Sequence, residues 1–237
     1  MKELKSMKRL LSLFACIIAF SFLLAGCGES EAKKAMEKAV ESANVLLKET
    51  PYDEGLKETL EKAVGGAKEA KNDDAYKKVT DAINSASKEY EKSVKVMKQI
   101  TAPEEAFLVE RAKKVDTITA VEAATEDTDP NNHLGKAGSY YAYIAMKSSL
   151  VTDSYYANKT PVDAGNSGGA VIEAFKTVED AEKRNKYLSA FDGNGIMDSG
   201  THKVLGTMVI RTSSRLKASQ QKELEQKVID ALLKLEE

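Results

Sequence analysis

From Ser30 to Ile100 the chain is written almost entirely in Ala, Lys, Glu and Leu, and that texture ends at Thr101-Ala102-Pro103-Glu104. A window of strong helix formers this long, with almost no β-branched runs, leaves helices as the regular structure open to it. Three amphipathic stretches can be cut from it. Ala32, Ala35, Ala39, Ala43 and Leu46 recur at three- and four-residue spacing and stop at Thr50-Pro51. Leu56, Leu60, Ala63, Val64 and Ala67 follow, weakened by Gly65-Gly66. The third stretch opens at Asn72-Asp73-Asp74, a cap with acids in the first turn, and carries Tyr76, Val79, Ile83, Ala86, Tyr90, Val94 and Met97. One apolar stripe on each predicts an antiparallel three-helix bundle over residues 29–100, with solvated charge on its outer faces.

Residues 101–237 read differently. Thr101 with Glu104 has the form of a capping box for a helix reaching about Val115, and Pro103 is tolerated in a first turn. Strands are expected at Ile118–Ala124, Tyr140–Met146, Ala170–Phe175 and Val204–Arg211, with helices opening at Thr177-Val178-Glu179-Asp180 and at Ala218. The order is α-β-β-β-α-β-α. Successive strands with no helix between them favour antiparallel pairing, so the expected class is α+β. In that reading a three-helix bundle precedes a two-layer α/β sandwich with a largely antiparallel four-stranded sheet and helices on one face.

Ahead of the bundle, Lys2, Lys5, Lys8 and Arg9 precede an apolar run from Leu10 to Leu24 and the small residues Ala25 and Gly26. This is the pattern of a secretory signal peptide over residues 1–26. The run is about 15 residues, short of the roughly 20 that a permanent membrane span needs. Leu24-Ala25-Gly26-Cys27 resembles the lipobox of bacterial lipoproteins. The resemblance implies that the Cys27 thiol takes a diacylglycerol and that the chain is cut ahead of it. A thiolate is the nucleophile such chemistry needs, and two acyl chains suffice for stable attachment. The expected location is the outer face of the cytoplasmic membrane, with the lipid bilayer as a partner through diacylglyceryl-Cys27. Cys16 would leave with the signal peptide, so the exported body would contain no disulfide, which suits a Gram-positive surface.

Composition narrows the chemistry. With 42% hydrophobic and 30% charged residues the chain is globular, and 35 basic against 37 acidic residues argue against nucleic acid as a partner. Two His and two Cys leave little for zinc or haem attachment, and no cofactor is expected.

Two further resemblances extend the reading. The small-residue spacing of the first helix and Leu56-x3-Leu60 of the second are similar to the FIVAR and GA-type three-helix modules of Gram-positive surface proteins. Some of these bind host proteins or carbohydrates, and many act as stalks. In the second half, Thr125-Glu126-Asp127-Thr128-Asp129-Pro130-Asn131, Val178-Glu179-Asp180-Ala181-Glu182-Lys183-Arg184-Asn185, Ala190-Phe191-Asp192-Gly193 and Gly206-Thr207-Met208-Val209-Ile210-Arg211-Thr212-Ser213 resemble a domain of lipoproteins and EbhA-like surface proteins of clostridial-type bacteria. That family carries no known activity. It often has Thr where this chain has Lys217, which puts the cap of the last helix in question.

Candidate chemistry is sparse. Gly165-Asn166-Ser167-Gly168-Gly169 resembles the nucleophile motif of trypsin-like serine proteases, but His133 lies in a polar loop unlike a catalytic His motif, and the glycines equally make a turn into a strand. Asp127, Asp129 and Asn131 alternate as calcium ligands do, while the later positions of such a loop are filled by Asn132 and Gly138. Asp192-Gly193-Asn194-Gly195 is similarly incomplete. His202 reads as a strand-edge residue. Strand alternation sends Tyr141 and Tyr143 to one face and Tyr140 to the other, and with Tyr155 and Tyr156 they form a set able to stack on sugars or peptides. Tyr141, Tyr143 and His202 are therefore the ligand-binding candidates. The function expected is a non-catalytic binding or interaction module of the cell envelope, its partner an envelope protein, glycan or peptide. The alternative is a cell-surface hydrolase using Ser167 or acidic residues.

Overall fold

A computed structural model describes residues 30–193 and 200–236. The expected signal peptide, Cys27 and the pair Asn194-Gly195 lie outside the described residues. Among the described residues no helix is long and apolar enough to cross a membrane.

Helices α1 (Glu31–Leu46), α2 (Gly55–Gly65) and α3 (Asp73–Gln99) occupy the helical window. Each boundary has a local cause. Ser30 caps α1 by accepting from the Lys33 N–H at 3.2 Å, and Asn72 caps α3 by accepting from Ala75 N–H at 2.9 Å. Gly65 and Gly66 end α2 in a short 3-10 turn, Gly66–Lys68. The three helices close on Ala43, Leu60, Ile83, Tyr90 and Val94. Burial of Tyr90 is made tolerable by its hydroxyl, which donates to the Glu49 carbonyl at 2.7 Å. Ser93 accepts from Asp53 N–H at 2.8 Å, pinning the Pro51 connection to α3.

At 27 residues α3 is about 40 Å long. Its apolar stripe serves two cores: Ile83, Tyr90 and Val94 face the other helices, whereas Met97 and the fully buried Ile100 pack into the core of the second half. Gln99 donates to the carbonyl of Leu232 at 2.6 Å, and Thr207 N–H donates to the Ile100 carbonyl at 3.1 Å. The expected capping box at Thr101 and Glu104 does not form. Thr101 instead donates to the Met97 carbonyl at the end of α3, and Ala102 turns the chain with a φ of 45°.

After α4 (Glu105–Ala112) come β1 (Ile118–Ala123), β2 (Ala142–Ser148), the single-turn helices α5 (Ser154–Ala157) and α6 (Pro161–Ala164), β3 (Gly169–Ala174), α7 (Val178–Ser189), β4 (His202–Leu205), β5 (Met208–Thr212) and α8 (Ala218–Leu233). The sheet has five strands in the order β1-β2-β3-β5-β4, every pair antiparallel. The four-stranded expectation therefore needs correction. The run Val204–Arg211 is a hairpin, with Leu205 paired to Met208 across Gly206-Thr207. Gly206 has a φ of 57° at the first central position, as type II′ turns require. Lys217 has no acceptor with which to cap α8; the return half of the cap is present, Lys217 N–H donating to Gln220 at 3.1 Å.

The two-layer expectation is also corrected. Ile144, Met146, Ile172 and Ile210 face α4 and α8 through Leu108, Leu224, Val228 and Leu232. On the opposite face Tyr143, Ala145, Val171 and Val209 lie under Tyr140, Phe175, Val162 of α6, and Ala181 and Leu188 of α7. The sheet is thus the middle of three layers. The near-continuous apolar run in β2 and β3 is the mark of strands buried on both sides.

Candidate functional site

The second face of the sheet holds the charged chemistry. β3 places Glu173 at its centre with no exposure, and the register sets it between Tyr143 of β2 and Val209 of β5. Arg184 of α7 grips this carboxylate with two parallel bonds, 2.6 Å from Nε and 2.8 Å from Nη2, and Arg211 of β5 adds a third at 2.8 Å. Two guanidinium groups on one carboxylate leave the cluster net positive. Burial works against the Arg184 charge, but Glu173 outweighs it and holds the guanidinium above its ordinary pKa.

A second carboxylate organises the loop before β2. Asp129, 8% exposed, accepts from the N–H groups of Asn131 at 3.2 Å, His133 at 2.6 Å and Leu134 at 2.8 Å, and from the Tyr140 hydroxyl at 2.7 Å. Burial by itself would raise the Asp129 pKa; these donors more than offset it and hold it below the usual carboxylate range. Tyr140 is pushed up by burial and by the same carboxylate. Asn131 donates its amide to the Tyr140 oxygen at 3.0 Å. Of the calcium candidates Asp127, Asp129 and Asn131, the last two do meet at Tyr140, but the Asp129 oxygens are occupied by N–H and O–H groups, Asn131 enters as a donor, and Asp127 stays exposed. The loop holding them faces α7 from Asp180 to Tyr187, and the turn at Asp192 lies beyond the C-terminal end of that helix. Among the described residues no cluster of three His, Cys, Asp or Glu side chains is disposed to hold a metal.

Between the loop fixed by Asp129 and helix α7 runs a groove of about 460 Å³. Tyr140 and Phe175, packed edge to face at 6.0 Å, form its floor. Lys136, Lys183, Arg184 and Tyr187 stand along it. Tyr187 is 57% exposed, braced by Phe191 at 5.1 Å and by the Arg184 guanidinium 5.4 Å from its ring. Lys183 meets Asp180 at 3.4 Å, a partly screened pair at the rim. The groove therefore combines a held aromatic face with three cations, an arrangement suited to a ligand carrying both an apolar ring face and negative charge.

The other sequence candidates lie elsewhere. Tyr143 is buried beside Tyr140, their rings 5.6 Å apart, and burial raises its pKa. Tyr141 goes to the opposite face, where its hydroxyl donates to the Pro103 carbonyl and burial pushes it up to about 12. The expected pairing of Tyr141 with Tyr143 fails because β2 begins only at Ala142, so strict alternation does not yet apply. Tyr155 and Tyr156 pack edge to face at 5.0 Å under Lys159, 4.2 Å from the Tyr155 ring, on α5.

His202 sits on edge strand β4 with its ring nitrogens 2.7 Å from Asn185 and 3.0 Å from Asp192. Ser167 lies on the 3-10 turn that feeds β3, and its carbonyl accepts from the Ser213 hydroxyl at 3.1 Å. His133 lies by the groove at the far end of that strand, about 20 Å away, and His202 two strands over, about 10 Å. The structure brings neither imidazole to Ser167. Sequence reading missed Glu173, Arg184, Arg211, Lys136, Lys183 and Tyr187. The available signal was a charge placed inside each of two apolar strands, Ala170–Phe175 and Val204–Arg211, whose pairing makes them neighbours. No family model matches the chain, and neither does any curated protein or solved structure.

Proposed function

We propose that the protein is an extracellular lipoprotein, anchored through diacylglyceryl-Cys27, whose C-terminal half is a non-catalytic module binding an acidic glycan of the envelope. The groove between the 133–140 loop and α7 supports this reading. Its exposed Tyr187 offers a sugar face, and Lys136, Lys183 and Arg184 offer charge to a uronate or similar group. The N-terminal helices act as a spacer in the manner of the surface modules they resemble. They end in Ile100, embedded beneath the sheet, so the spacer would hold the groove in a fixed orientation.

The groove is tested by titrating an oligosaccharide of alternating glucuronate and N-acetylhexosamine into the protein. Tyr187→Ala, and separately Lys136→Ala with Lys183→Ala, are expected to weaken binding about tenfold, or about 1.4 kcal/mol. Equal affinity in all three proteins would contradict the assignment. The anchor is tested by fractionating expressing cells: Cys27→Ala is expected to release the protein from the membrane fraction, and unchanged retention would contradict lipidation.

A further inference from the structure

On the face of the sheet away from the groove, α4 and α8 border a pocket of 320 Å³ lined by Arg111, Lys114, Lys227 and Lys234, with Asp116 and Asp230 at its side. Asp116 and Asp230 share this lining, and Glu110, Glu223 and Glu236 meet its cations from the rim. Arg111 is the unusual member. Its side chain is only 5% exposed and lies over the Phe107 ring at 4.9 Å. A buried guanidinium needs a negative partner, and here it is supplied by Glu236, which follows α8.

That partner is a poor fit. Glu236 reaches Arg111 at 3.3 Å and Lys114 through the same oxygen, Oε1, and remains 55% exposed. A guanidinium fork is built for two parallel bonds to one oxyanion, and this contact makes one long approach. Lys227 is held by Asp116 at 3.1 Å and by Glu223 at 3.0 Å, which fixes one wall of the pocket. The Gln99 bonds to the carbonyls of Leu232 and Lys234 fix the chain just ahead of Glu236.

We infer that this pocket is an oxyanion-binding site, for the phosphate or carboxylate group of a ligand, and that Glu236 is its resting occupant in cis. A tethered carboxylate competes at an effective concentration in the millimolar range, so a free oxyanion gains whatever affinity the tail gives up. The site is independent of the groove, since the two lie on opposite faces of the sheet.

Isothermal titration of the full chain with inorganic phosphate, and in parallel with glutarate, tests this. The substitution Glu236→Gln removes the competing carboxylate and is expected to tighten binding about five- to tenfold. Lys114→Gln, at a half-exposed position, is expected to weaken binding of either anion in the Glu236→Gln background. Tighter binding of phosphate than glutarate assigns the site to phosphate ligands, and the reverse assigns it to carboxylates. Absence of binding by both anions to Glu236→Gln, or affinities unchanged by removal of Glu236, would overturn the inference.

Discussion

Replacing Glu173 by Ala is expected to cost about 3–5 kcal/mol, because it leaves the buried Arg211 and the partly buried Arg184 without their shared carboxylate. For a chain of this size the melting temperature should fall by about 10–15 °C. The cost reflects the orphaned charges more than the intrinsic worth of the ion pairs. A simultaneous exchange of Glu173, Arg184 and Arg211 for Met should therefore recover much of the loss. Thermal or denaturant unfolding of the single and triple variants measures both effects. A loss under about 1 kcal/mol in Glu173→Ala would show that the two guanidinium groups find water or other partners easily.

Gly206→Ala is the second large effect. The backbone there has a φ of 57°, and a Cβ would stand 2.2 Å from the carbonyl oxygen of Ile100. That oxygen belongs to rigid backbone at the junction between α3 and the sheet, and it already accepts from Thr207 N–H. It cannot retreat without withdrawing Ile100 from the core. The left-handed strain and the clash together are expected to cost about 3–5 kcal/mol. The substitution should also loosen the end of α3 from the sheet, raising amide exchange at Ile100, Thr101 and Ala102. Wild-type stability and exchange in this variant would contradict the tight packing of Gly206 on Ile100.

Features that depend on a few neighbouring residues were legible in the sequence. Asn72 and Thr177 cap the helices they were expected to cap, and the apolar stripe of α3 was visible as far as Met97. Features that depend on partners distant in sequence were not. Thr101 chose the end of α3 over the start of α4 because Ile100 had to reach the sheet core, which no local pattern states. The β4–β5 turn was hidden because Gly206-Thr207 lacks an Asn-Gly or Asp-Gly pair and is flanked by apolar residues on both sides. Short helices α5 and α6 have no room for a periodic stripe, although Asp153 and Thr160-Pro161 mark their starts.

The site was the least legible part. Asp129 looked like one of three calcium ligands, and the spacing was real, but the loop bends its own N–H groups onto the carboxylate. Glu173 and Arg211 become neighbours only through the β3–β5 register, and Arg184 joins them only because α7 packs on the second face. Tyr187 looked like any exposed helix residue until the 133–140 loop supplied the opposite wall of the groove.

The most direct measurement is to add the glucuronate oligosaccharide to isotope-labelled protein and map the amide resonances that move. Shifts concentrated at residues 133–140 and along α7, abolished by Tyr187→Ala, are the expected result. Shifts absent from that groove, or confined to Tyr155, Tyr156 and Lys159 at the other end of the sheet, would contradict it.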